Sequence, residues 1–170
     1  MIIKEMATKS QDIIIVTSSL TQDMTNAKLE AVYKASAIRA LGMIIDGSMV
    51  PSVERFLKTA MADRNGHMAS AALATGIHLF AANKEAVRRW LPDVQQALTL
   101  SPPKSITQYH AFCLSFLVKQ NDRMAVLKLC QQMQSSASHP LSSCLLIKIY
   151  GSILAKDPFI AYAILSFVND

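Results

Sequence analysis

The segments Lys34-Ala-Ser-Ala-Ile-Arg-Ala-Leu-Gly42 and Met68-Ala-Ser-Ala-Ala-Leu-Ala-Thr-Gly76 are two copies of one helical pattern, offset by 34 residues. Five of the nine aligned positions are identical, namely three alanines, one serine and the final glycine. Further copies are predicted at 108–117 and from about residue 143 onward. A period of 33 to 40 residues with two helices per unit is typical of an α-solenoid of the HEAT type.

Each small-residue helix is followed by a helix with bulkier apolar residues, such as Phe56 or Trp90. Small side chains allow helix backbones to approach closely, and the bulky partners fill the remaining volume. Helical spacing of apolar residues continues along nearly the whole chain. It predicts helices at about 1–7, 11–22, 29–45, 50–63, 67–82, 84–99, 105–120, 122–134, 140–155 and 158–168.

The short connections contain the residues expected at helix ends. Ser10 and Asn121 precede two of the helices as caps, and Pro51 and Pro140 fall in first turns. The predicted fold is therefore an all-α, right-handed solenoid forming one domain over 1–170. The uncapped start and the helical ending indicate a segment of a longer array. The alternative is a compact helical bundle, which would have more uniform helices without a sequence offset.

Composition restricts the class of protein. Hydrophobic residues make up 51% of the chain and charged residues 17%, which is too apolar for a disordered chain. No apolar run reaches the roughly 18 residues of a membrane span, and a secretory signal is not predicted. The 17 basic and 12 acidic residues are scattered, so nucleic-acid binding is not predicted. Three cysteines without a Cys-x-x-Cys motif are typical of reduced thiols in the cytosol.

Catalytic, cofactor and metal sites are not predicted. The four histidines are isolated from one another, and zinc sites need clustered ligands. The five glycines are spread singly, so no phosphate-binding loop is present. A Cys113–His110 nucleophile pair is conceivable because the two residues share a helix face. An inert thiol at Cys113 is the preferred interpretation, and an enzyme is the least favoured hypothesis.

One structural ion pair is predicted. Arg39 interrupts an apolar helix, and Asp63 ends the next one. In stacked repeats, an inward arginine pairs with a carboxylate from an adjacent turn, since a buried charge needs a partner. Arg39 is therefore predicted to pair with Asp63 or with Asp46.

The run Asp12-Ile-Ile-Ile-Val-Thr-Ser-Ser-Leu20 is a candidate contact surface. On a helix Ile13, Val16 and Leu20 share one face, whereas Ile14 and Ile15 point away from it. Exposed aliphatic residues beside small hydroxyls suit a protein contact. The predicted surface consists of Ile14, Thr17, Ser18 and Thr21. The alternative is that both isoleucines pack against the truncated first helix, predicted at about 1–7, and a neighbouring helix.

Several collinear motifs resemble the trunk of the coatomer γ-subunit family, the γ subunits of the COPI vesicle coat. They are Ile3-Lys-Glu-Met6, the run from Asp12 to Met24, Ala37-Ile-Arg-Ala-Leu41, Val53-Glu-Arg-Phe56, Ala86-Val-Arg-Arg-Trp90, Gln108-Tyr-His-Ala111 and Lys119-Gln-Asn-Asp-Arg-Met-Ala-Val126. The resemblance covers about 1–135 and is expected to thin out after Ser138. The stretch 26–32 departs from the family pattern.

This resemblance implies a trunk that pairs with the ζ subunit and joins a β–δ half of the coat. It implies recruitment to Golgi membranes by an Arf-family GTPase in its GTP form, with a cytoplasmic protein held peripherally on Golgi membranes and COPI vesicles. In related adaptor trunks the GTPase contacts early helices, including the one matching 11–22, which would give the Ile14 surface a partner. The alternative function is another HEAT-repeat scaffold, of the transport-receptor or phosphatase-scaffold type.

Overall fold

A computed structural model describes residues 12–99, 105–136 and 139–156, and all regular structure within these ranges is helical. The predicted helices at 1–7 and 158–168 lie outside the described residues. The described helices are α1 (Asp12–Thr25), α2 (Ala31–Ile44), α3 (Val50–Met61), α4 (Gly66–Ala82), α5 (Lys84–Arg88), α6 (Leu91–Thr99), α7 (Ser105–Lys119), α8 (Arg123–Gln134) and α9 (Pro140–Lys156).

Side-chain caps begin three of these helices. Asn65 accepts a hydrogen bond from the His67 amide at 2.9 Å, Asn83 from that of Ala86 at 3.0 Å, and Asp122 from that of Ala125 at 3.0 Å. Each cap satisfies one of the first-turn amides that have no partner inside the helix. The predicted cap at Asn121 is wrong by one residue, because α8 begins at Arg123. The predicted cap at Ser10 lies outside the described residues.

The helix predicted at 84–99 is two helices. α5 ends at Arg88 and α6 begins at Leu91, with Trp90 fully buried between them. Pro92 explains the break, since its ring would clash with the carbonyl of residue 88 in a continuous helix. Periodicity alone cannot detect this break because the apolar residues on its two sides keep helical spacing.

The helices form two layers. In the second layer α2, α4, α7 and α9 lie side by side in that order, and α1, α3, α6 and α8 form the first layer. Each second-layer helix packs against the first-layer helix that precedes it in sequence, whereas α2 makes at most slight contact with α3. The sequence paired each small-residue helix with the bulky helix after it. This pairing holds for α7 with α8, and α4 also contacts α5, but it does not hold for α2 with α3.

Hydrogen bonds between neighbouring repeats follow the sequence period. Thr75 Oγ1 donates to the carbonyl of Ile38 at 3.2 Å, and Asn83 Nδ2 donates to that of Gly47 at 2.8 Å. These bonds join residues 37 and 36 positions apart. Equivalent points of successive units therefore meet, which a bundle around one central core would not produce. The structure confirms the predicted solenoid.

Small residues set the spacing within the second layer. A Cβ atom added to Gly42 would lie 2.5 Å from Thr75 Cγ2, and one added to Gly76 would lie 2.8 Å from Leu114 Cδ2. Ala71 and Ala72 of α4 are fully buried between these contacts. The larger core side chains, such as Trp90 and Phe112, fill the space between the layers. The predicted role of alanine and glycine is confirmed.

Candidate functional site

The exposed side of α1 is an apolar surface. Ile14 is 64% exposed and Ile15 is 69% exposed, and Ser18 is also exposed. The side chain of Ile13 lies outside the described residues. Ile14 and Ile15 are therefore not covered by the described helices, and the first predicted helix, on which the alternative placed them, lies outside the described residues. Aliphatic groups of this size left in water are characteristic of a contact surface.

Two of the four residues predicted for this surface are turned inward. Thr17 is only 7% exposed, and Thr21 is half-buried and donates from Oγ1 to the Thr17 carbonyl at 2.7 Å. The buried face of α1 passes through Thr17 and Met24, which lie seven residues apart, and not through Val16, which is 37% exposed. A partner therefore reaches Ile14 and Ser18 directly but cannot reach Thr17.

A groove between α1 and α2 adjoins this surface and was missed by sequence reasoning. Leu20 and Asp23 of α1 and Tyr33 and Ala37 of α2 line it. Tyr33 is 63% exposed, and the neighbouring Val32 is exposed as well. The signal in the sequence was two adjacent large apolar residues in the first turn of a helix that continues, after Lys34, with small residues at 35–37.

The predicted ion pair of Arg39 is not formed. Arg39 is exposed, and the ion pairs of the described residues do not include it. Asp63 Oδ1 instead accepts from the Asn65 amide at 2.7 Å. Asp46 Oδ1 accepts from the hydroxyl of Ser48 at 2.6 Å, and this bond, followed by that from the Met49 amide, lowers the pKa of the carboxyl. Both carboxylates order turns, and Arg39 points to solvent.

His110 and Cys113 do not form a nucleophile pair. His110 Nδ1 lies 2.8 Å from Ser70 Oγ, and burial lowers the pKa of the imidazole. Burial raises the pKa of the Cys113 thiol, and Cys113 is hydrogen-bonded to Tyr109. Cys130 is fully buried, and burial raises its pKa to about 11. These thiols are held in the protonated form, which is the unreactive one.

Within 12–99, 105–136 and 139–156, no three His, Cys, Asp or Glu side chains are grouped so as to hold a metal ion. In the same part of the chain, no helix has both the length and the apolar character needed to cross a bilayer. The fold defines the class of the protein as a helical-repeat scaffold. Exposed apolar side chains on α1 and α2 are its candidate contact residues.

Comparison with known proteins places the chain within this class. Residues 1–169 match the family described as "Adaptin N terminal region", and the chain belongs to that family. The match continues past Ser138 almost to the last residue. The sequence motifs were expected to become fewer after Ser138, and the family match nevertheless includes that part of the chain.

Coatomer γ subunits are among its relatives, as the sequence motifs indicated. The chain is 44% identical to coatomer subunit gamma of Arabidopsis thaliana over 158 residues, which are 92% of the chain and 17% of the relative. It is 42% identical to probable coatomer subunit gamma of Caenorhabditis elegans over 168 residues, or 98% of the chain and 19% of the relative. Human coatomer subunit gamma-2 is 40% identical over 155 residues, or 91% of the chain and 17% of the relative. The chain thus spans less than a fifth of the length of these relatives.

Proposed function

We propose that this chain is a non-catalytic scaffold segment of the COPI vesicle coat, acting in intracellular protein transport. The observation that carries the proposal is 40 to 44% identity to coatomer γ subunits over nine-tenths of the chain. The solenoid supports it, because stacked helix pairs provide long surfaces for partner proteins. In this proposal the chain assembles with the ζ, β and δ subunits and lies peripherally on Golgi membranes, on their cytoplasmic side.

The proposed partner of the α1 surface is an Arf-family GTPase in its GTP form. Ile14 and Ile15 supply exposed apolar area, and Ser18 adds a hydroxyl at its rim. Burial of such side chains at the centre of a contact accounts for most of the affinity in typical interfaces. Thr17 supports the surface from below, since it is buried and its carbonyl holds the Thr21 hydroxyl.

Retention of the chain by an immobilised Arf GTPase, loaded with GTP or with GDP, tests this contact. The GTP form is expected to retain the chain, and Ile14→Asp is expected to abolish retention because it places a charge in an apolar contact. Ile147→Asp is the matched control, since Ile147 on α9 is 71% exposed and far along the array. Equal retention by both nucleotide forms, or equal loss with both variants, would contradict the proposed contact.

The other scaffold types weighed from the sequence, transport receptors and phosphatase scaffolds, receive no comparable support. The relatives reported above are coatomer γ subunits. Co-purification of the chain with the ζ subunit, tested against a phosphatase catalytic subunit as the negative control, separates these functions. Retention of the phosphatase subunit and not of ζ would overturn the coat assignment.

A further inference from the structure

Acidic residues are distributed very unevenly between the two layers. The chain has 12 aspartate and glutamate residues, and α2, α4, α7 and α9 of the second layer contain none of them. In the described part of the chain, acidic residues lie on α1, α3, α5 and α6 or at helix junctions. The basic residues of the second layer include Arg39 and Lys148, which are both exposed. Within the described ranges, no ion pair joins either of them to a carboxylate, so both charges are open to a partner.

The second layer also carries much of the exposed apolar area. We call the solvent-exposed residues of α2, α4, α7 and α9 the open face. It includes six large apolar side chains that are at least 40% exposed, namely Val32, Tyr33, Met43, Ile106, Leu141 and Ile147. A surface that is apolar and cationic at once, without acidic residues, favours a partner with the opposite charge and apolar side chains of its own.

A cluster of buried and half-buried polar residues joins α4, α7 and the residue before α9. Ser70 Oγ of α4 meets His110 Nδ1 of α7 at 2.8 Å, and the rings of Tyr109 and His139 stack with centroids 5.7 Å apart. Besides burial, the nearby charges of Arg39 and His139 lower the pKa of His110. Arg39 therefore lies close to His110, whose lowered pKa favours the neutral imidazole. The exposed Arg39 guanidinium is thus the charge that a carboxylate of a partner would meet.

We propose that the open face docks an extended peptide segment that carries both acidic and apolar side chains. Its carboxylates pair with Arg39 and Lys148, and its apolar side chains cover Leu141 and Ile147. Four helices about 9 Å apart give a layer about 27 Å across, which an extended segment of about eight residues spans. This surface differs from the α1 surface proposed for the GTPase. Failure of one contact in its test therefore does not bear on the other contact.

Fluorescence anisotropy with the full chain tests this docking. The probe is a labelled ten-residue peptide of alternating glutamate and leucine, compared with the same peptide carrying glutamine for glutamate. The glutamate peptide is expected to bind at least about fivefold more tightly, and added salt should remove that advantage. Equal binding of the two peptides at low salt overturns the proposal.

Matched charge reversals locate the contact. Arg39→Glu and Lys148→Glu on the open face are each expected to weaken binding of the glutamate peptide by about fivefold. Arg55→Glu makes the same charge change at an exposed position of α3 and is expected to leave binding unchanged. Because Arg39 is exposed, its variant should keep the thermal stability of the parent. Equal weakening by all three variants means that only net charge matters and overturns the site.

Two further measurements distinguish peptide docking on the open face from membrane binding and from binding at the α1 surface. Vesicles of phosphatidylserine and phosphatidylcholine offer an anionic membrane in place of the peptide. Vesicle binding that is lost with Arg39→Glu, without any peptide binding, assigns the face to a lipid surface and overturns the peptide. The variant Ile14→Asp is expected to bind the peptide normally. Its loss of peptide binding would show that the two surfaces are one.

Discussion

The two layers hold successive repeats together by different means. In the second layer, Gly42 faces Thr75 and Gly76 faces Leu114 at distances that leave no room for a Cβ atom. In the first layer, polar side chains make links. Lys58 of α3 pairs with Asp93 of α6, and Glu54 of α3 pairs with Arg89 just before α6. Gln95 of α6 donates to Gln132 of α8 at 3.0 Å.

This difference indicates which layer fixes the geometry of the array. Close-packed backbones tolerate little change in volume, so the second layer sets the distance between units. Partly exposed ion pairs tolerate bending and contribute little each, so the first layer adjusts to that distance. The acidic residues are distributed in the same way. The first layer uses carboxylates in its ion pairs, whereas the helices of the second layer contain none.

Overpacking the second layer is expected to have the largest effect. Ala71 is fully buried in α4, and Ala71→Leu should lower the free energy of unfolding by roughly 1–3 kcal/mol. Chemical denaturation followed by circular dichroism measures the change. Ala81→Leu is the control, because Ala81 is exposed on the same helix. Equal destabilisation by the two variants would contradict the view that the second layer sets the spacing.

The second-largest loss of stability is expected at Asn83, between α4 and α5. Asn83 caps α5 through Oδ1 and donates from Nδ2 to the Gly47 carbonyl at 2.8 Å, so it serves two repeats. Asn83→Ala should cost about 1–2 kcal/mol in the free energy of unfolding. Asn26→Ala removes only a local bond to the Lys28 amide in an exposed turn and should cost much less. Similar losses in denaturation midpoint for both would mean that the inter-repeat bond adds nothing.

A smaller effect is expected from pH within the second layer. Burial lowers the pKa of His110, so the unfolded chain takes up a proton near pH 6.5 that the folded chain resists. Stability from this group is fully present above pH 6.5 and falls as the pH drops toward the lower pKa of the folded state. His110→Gln should make the decline in melting temperature from pH 7.5 to 5.5 shallower. His78→Gln, at an exposed site on α4, should not.

The first layer should give the smallest effect. Glu54 accepts from Arg89 at 3.1 Å and lies 3.7 Å from Lys58, with its side chain 19% exposed. Glu54→Gln should lower the free energy of unfolding by about 0.5–1 kcal/mol, and 1 M salt should reduce that difference. Glu85→Gln breaks one pair within a single helical turn and should cost less still. A loss as large as that of Ala71→Leu would reverse the ranking of the layers.

The sequence predicted the repeat and its small-residue helices because closely spaced helices require small side chains, and these are visible in the sequence. It could not predict that each second-layer helix also packs against the helix before it, since a repeat period does not say where each unit begins. Arg39 was expected to point inward because it interrupts an apolar helix, yet the open face of a solenoid helix also accepts a charge. Thr17 was placed on the surface by its hydroxyl, although its methyl group and its position seven residues before Met24 favour burial.

The spacing of the inter-repeat bonds has a mechanical consequence. The bonds from Thr75 to Ile38 and from Asn83 to Gly47 reach only the adjoining unit. Strain introduced at one helix pair is therefore transmitted only to the adjacent pair, and each interface between pairs allows a small rotation. An array linked in this way is elastic, because its overall curvature is the sum of many small rotations between neighbouring units. A partner that binds two distant units can thus change the curvature of the array while all of its helices stay folded.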